Sequence, residues 1–102
     1  MAGYRLTEEA QRDLRAIRDY ALSNWGAQQS RTYLNRLRQT LEKLAEIPEI
    51  GLKREEELGP DVHSFPYVSH MLYYVPDSKG ITVMAVLHQS RIPVHHLAQR
   101  YR

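Results

Sequence analysis

No cysteine occurs in the chain, which excludes disulfides and thiolate metal sites. No apolar run approaches the roughly 20 residues that a membrane-spanning helix needs, and no signal peptide opens the sequence. A strong charge of either sign is also missing: 14 Lys and Arg stand against 12 Asp and Glu, a net charge of +2 with a pI near 9.0. A dedicated nucleic-acid binder of this size carries a larger or more clustered basic excess. Direct, sequence-specific contact with nucleic acid is therefore not expected. Metal-ligand spacing is absent as well. His95 and His96 are neighbours, and adjacent residues on a helix point about 100° apart. No two histidines stand at i, i+4, and His63, His70 and His88 have no carboxylates at ligand spacing. No glycine-flanked nucleophile turn surrounds Ser64 or Ser90. Neither a metal, a cofactor nor a Ser/His/Asp triad is expected.

What is present is enough for one domain spanning 1–102, with a core of modest size. Gly3–Leu6 reads as a short first strand within 1–6. Thr7 has the chemistry of an N-cap, with Glu8 and Glu9 well placed against the positive helix end. Ala10, Leu14, Ile17, Ala21 and Trp25 then recur at helical spacing. Gly26 ends that helix. A second helix is expected over Ala27–Glu46, striped by Leu34, Leu37, Leu41 and Leu44 and stopped by Pro48 and Gly51. With so short a junction, the helices over 7–47 must fold back as an antiparallel hairpin. Gly51–Asp61, charged and holding two glycines and a proline, reads as a loop.

Residues 62–91 read as a three-strand meander. Val62–Tyr67 and His70–Val75 are rich in side chains that suit a half-buried pleated surface. Pro76–Gly80 has turn chemistry. Ile81–Leu87 is apolar at all but one position, as in a central strand covered on both faces. The fold class is α+β: an N-terminal strand and a helical hairpin packed on a small, mostly antiparallel sheet, with 92–102 as a tail. Leu14, Ile17, Leu34, Leu37, Leu41, Val83 and Leu87 are expected to be buried together. Tyr20, Trp25 and Tyr33 sit at helical spacing beside Leu37; such stripes usually face a core, and an interface is the alternative reading. The tail beyond the last strand is expected to be surface, not packing.

Arg12, Arg15, Arg18, Arg31, Arg36 and Arg38 concentrate in the helical half, whereas Glu55, Glu56 and Glu57 form an acidic run. Such residues are ordinarily solvated faces; a basic face also steers an acidic partner. Histidine, glutamine, serine and arginine cluster at His88–Arg91, where the last strand ends, and functional side chains gather at such places.

The strand pair "SFP…H…YYV", the short turn, and the apolar strand ending "VLHQSR" resemble toxins of the ParE branch of the RelE/ParE superfamily. The resemblance runs over about residues 4–97 and includes the Trp25-Gly26 junction and the Pro48/Gly51 exit. It implies a cytoplasmic, non-enzymatic toxin of a type II toxin–antitoxin pair. Such a toxin poisons DNA gyrase by trapping it with cleaved DNA and is neutralised by a ParD-like antitoxin. By resemblance, His88, Arg91, His95 and Arg100 form the gyrase-facing surface. An amphipathic antitoxin segment that folds on binding is expected to set acidic residues against Arg15, Arg18, Arg31 or Arg38. Two alternatives remain: a target other than gyrase, and messenger-RNA cleavage on the ribosome as in the RelE branch. The second needs a base for the ribose hydroxyl and cations for the transition state. Arg91 and Tyr101 are its candidates, but the strands around His63–Tyr67 and His70–Val75 hold no lysine or arginine.

Overall fold

A computed structural model of the protein describes residues 2–97 and 100. The elements in order are β1 (Gly3–Leu6), α1 (Glu8–Trp25), α2 (Ala27–Glu46), a 3-10 turn at Pro48–Ile50, β2 (Leu52–Lys53), α3 (Glu55–Leu58), β3 (His63–Tyr67), β4 (His70–Asp77), β5 (Gly80–His88) and α4 (Pro93–Leu97). The strands form one sheet in the order β1-β5-β4-β3-β2. β1 runs parallel to β5 and all other pairs are antiparallel.

The hairpin follows from its caps. Thr7 Oγ1 accepts the Ala10 N–H at 3.1 Å, with Glu8 and Glu9 in the first turn. Gly26 alone separates the two helices at φ 86°, a backbone region that penalises any side chain. Its N–H donates to the Leu22 carbonyl and its own carbonyl accepts from Ser30, so one residue closes one helix and opens the next. At the other end, Gly80 (φ 144°) lies opposite Gly3, and a Cβ there would collide with the Gly3 backbone. Glycine is what lets β1 enter the sheet beside β5.

Two buried clusters cover the two faces of the sheet. On the helix side, Leu37, Leu41, Leu44 and Ala45 pack on Leu72, Tyr74, Ile81, Val83 and Val86. On the other side, Leu58 and Leu97 cover Val62, Tyr73, Met84, Ala85 and Leu87. Leu87 is thus not in the helix-side core. The cause is a bulge in β5: Tyr73 faces Ala85 whereas Tyr74 faces Val83, leaving Met84 as an extra residue. One inserted residue reverses the alternation of everything after it, so Val86 faces the helices and Leu87 the opposite side. Leu14, Ile17 and Leu34 also depart from expectation, since they pack against the cluster while remaining half-buried.

Three further segments differ from their sequence reading. Gly51–Asp61 is not an irregular loop: it contributes edge strand β2 and the helical turn α3, where Glu57 forms a two-point ion pair with Arg54 at 2.8 and 2.9 Å. Pro76 belongs to β4, not to the turn. It lies past the last residue that pairs with β3, so its missing N–H faces no strand. The described part of the tail is packed as well. Leu97 is 1% exposed in the second cluster, and Arg100 is tied to α1, so removing 95–102 uncovers core.

Candidate functional site

Two concave surfaces flank α1. The larger, of about 660 Å³, lies between α1, the end of β5 and the tail. Asp13, Ile17, Tyr20 and Trp25 line one side, His70, Val86, His88 and Arg91 the other, and His96 and Arg100 close the end.

The aromatic wall stands at the C-terminal end of α1. Ala21 is its last buried residue, and Trp25 lies one turn further on. Tyr20 and Trp25 are 61% and 40% exposed, correcting the expectation that they face a core. Their rings meet edge-on at 6.0 Å. The row continues from Trp25 to half-buried Tyr33 at 5.5 Å, from Tyr33 to His70 at 6.1 Å, and from His70 to His88 at 5.6 Å.

Two histidines on adjacent strands meet here because His70 and His88 are direct cross-strand partners. His88 Nδ1 accepts the Ser90 N–H at 3.1 Å and lies 2.8 Å from the Ser90 hydroxyl. Accepting a main-chain N–H requires a lone pair, which places the proton of neutral His88 on Nε2. His70 Nδ1 lies 2.8 Å from the Tyr33 hydroxyl. Burial, and then the nearby His88, hold the His70 pKa below its ordinary value of 6.5. The folded state thus prefers neutral His70, and the unfolded chain binds the proton more readily. Stability from this group is complete above pH 6.5 and declines as pH falls from there toward the folded-state pKa. His70→Gln is expected to flatten that decline, as measured by urea midpoints between pH 7.5 and 5; an unchanged slope contradicts it.

Asp13 is the cleft's carboxylate, and it is engaged. Its Oδ2 accepts the Val86 N–H at 3.0 Å and Arg100 Nη1 at 2.8 Å, while Oδ1 accepts Arg100 Nη2 at 3.3 Å. Arg100 Nη1 also donates to the Met84 carbonyl at 3.2 Å. Arg91 is exposed, and its guanidinium has no ion-pair partner among the described residues. Of the residues expected at a target surface, His88, Arg91 and Arg100 come together here. His95 is exposed on α4 outside the cleft, and His96 takes a place in its lining. Tyr101 lies outside the described residues.

The second surface, about 230 Å³, is a groove between β1, α1 and α2. Tyr4, Leu6, Leu14, Leu34, Leu37 and Leu41 make it apolar, and Arg15, Arg18 and Arg38 also line it. This explains why Leu14 and Leu34 stay half-buried: they floor an open groove. Arg31 is exposed on α2 and does not line it. Arg18 also bonds exposed Asp19 at 3.2 Å.

Sequence reasoning missed Asp13, His70 and the β1 wall of the groove. Asp13 carried a readable signal: a carboxylate three residues after Ala10 and four before Ile17 shares their helix face, and a charge on a core-facing stripe requires a partner.

A solved structure titled "Chromosomal ParDE TA system from P. aeruginosa" shares the fold with a TM-score of 0.71 at 19% identity, covering 86% of this chain and 96% of that one. The family model for the "ParE toxin of type II toxin-antitoxin system, parDE" matches residues 4–93. Toxin ParE of Escherichia coli is 34% identical over 103 residues, covering 100% of this chain and 99% of that protein. Toxin ParE1 of Caulobacter vibrioides is 33% identical over 97 residues, covering 95% and 99%. The chain belongs to the ParE toxin family of type II toxin–antitoxin systems.

Proposed function

We propose that this toxin acts in the cytoplasm by binding DNA gyrase, catalyses no reaction of its own, and is neutralised by a ParD-like antitoxin. The observation that carries the antitoxin half is the groove beside α1 and α2. An apolar trough lined with three arginines fits an amphipathic segment whose acidic residues reach the guanidinium groups. Arg15, Arg18 and Arg38 have that role here, while Arg31 serves only a segment that reaches past the groove.

The target half is supported by the larger cleft, where His88 and Arg91 stand exposed beside Tyr20 and Trp25. His95 extends this surface along α4, and Arg100 acts through its hold on Asp13 and Met84. An RNA-cleaving reading finds little support, because β3 and β4 contain no lysine or arginine to join Arg91.

The groove is tested by Arg15→Glu combined with Arg38→Glu. These exposed changes leave the fold intact and are expected to weaken antitoxin binding by roughly tenfold or more at low salt, with slower association. Added salt narrows the difference. Unchanged affinity at low salt removes the arginines from the interface.

A further inference from the structure

β5 is nine residues long, yet only Gly80–Val83 pair with β1. After Leu6 the chain turns away into α1, so Met84–His88 have β4 on one side and, among the described residues, no strand on the other. Other groups stand in for the missing strand. Thr7 N–H donates to the Val83 carbonyl at 3.0 Å. Thr7 Oγ1 and Arg100 donate to the Met84 carbonyl at 3.3 and 3.2 Å, and Asp13 receives the Val86 N–H.

Beyond that N–H the substitutes stop. Gln89 N–H donates to the Ser69 carbonyl at 2.8 Å, which makes His70 and His88 a non-hydrogen-bonded pair. Alternation makes Leu72 and Val86 another, so the main-chain groups of Val86 and His88 turn away from β4. The Val86 N–H, bonded to Asp13, confirms the direction. The Val86 carbonyl and His88 N–H therefore face the α1 side, where both residues line the large cleft. Neither group has a hydrogen-bond partner among the described residues.

An acceptor and a donor two residues apart on one strand edge match a single residue of a parallel strand, which donates to the first and accepts from the second. β1 already runs parallel to β5 on this side. The walls select chemistry: Ile17, Tyr20 and Trp25 offer apolar surface, and Arg91 offers a cation with no ion-pair partner among the described residues. The one carboxylate in the lining is held by Arg100.

We propose that this cleft takes an extended, acidic segment of a partner protein as a short added parallel strand at the end of β5, bonded to the Val86 carbonyl and the His88 N–H. Strand addition supplies main-chain bonds while side-chain pockets set specificity. The inference deepens the reading of this cleft as the target-facing surface and rests on it for the partner being a protein, not for which protein.

The test is selection from a displayed library of random ten-residue peptides against the full-length toxin, followed by amide-shift mapping of each enriched peptide. Enriched acidic peptides are expected that perturb Val86–Arg91, lose binding roughly tenfold with Arg91→Glu, and fail when one backbone amide is N-methylated. Three results would overturn the proposal: no peptide mapping to this cleft, peptides mapping there that tolerate N-methylation at every position, or an oligothymidine competitor that alone occupies it. Peptide binding persists if gyrase proves not to be the target. Conversely, gyrase inhibition without any such peptide removes only this inference.

Discussion

Leu41→Ala is expected to lower stability by about 2–5 kcal/mol, with a fall in Tm on the order of 10 °C or more. Leu41 is 1% exposed and sits in the helix-side cluster with Leu37, Leu44 and Tyr74. Leu41 also lines the groove but is fully packed beneath it, so truncation removes buried apolar contacts that two helices and a sheet, each anchored elsewhere, cannot replace. Leu34→Ala supplies the contrast. Leu34 is only half-buried, on the floor of the open groove, so no closed cavity forms and its cost should be clearly smaller. Equal costs for the two changes would mean that the groove is not open in solution.

Asp13→Ala is expected to cost about 2–3 kcal/mol, because it leaves the Val86 N–H without an acceptor and Arg100 without its counter-ion. The side chains of Asp13 and Arg100 are 15% and 17% exposed, which puts the pair below the cost of a fully buried one. Arg100→Ala should cost less, since Asp13 keeps the Val86 N–H. The exposed Glu8–Arg12 pair, of similar length at 2.9 Å, should be worth only a few tenths of a kcal/mol. Chemical denaturation of Asp13→Ala, Arg100→Ala and Arg12→Ala checks the order. Asp13→Ala matching the loss of the Glu8–Arg12 pair would contradict the anchoring role given to Asp13.

Much of the fold was legible because it is written in local chemistry. Thr7 before two glutamates, Gly26 between two leucine-striped helices, and the apolar run of β5 each fix an element through capping, a positive φ or burial. The bulge at Met84 has no such mark. No glycine or proline signals it, and its effect, moving Leu87 to the opposite face, depends on how β4 is paired. Trp25 and Tyr20 stand at helical spacing, but whether a stripe is covered depends on where the sheet ends beneath it. The resemblance named His88, Arg91, His95 and Arg100 together; His88, Arg91 and Arg100 line one cleft, and His95 lies outside it. The resemblance did not reveal that Arg100 is committed to Asp13, because that contact joins residues 87 positions apart. The groove arginines were legible as charge but not as a rim. Arg31 has the same composition signal as Arg38 and shares its helix face, seven residues being almost two turns; it differs in lying two turns nearer Gly26, short of the first α2 residue that lines the groove, Leu34.

The most direct measurement is a supercoiling and DNA-cleavage assay with purified gyrase and purified toxin, beside Arg91→Glu. Arg91 is exposed and has no ion pair among the described residues, so the variant should keep the wild-type melting temperature. Inhibition by binding requires that the toxin block supercoiling and raise the amount of cleaved DNA, that Arg91→Glu lose most of both effects, and that ribosome-bound messages stay intact. Unaffected gyrase together with cut messages would contradict it.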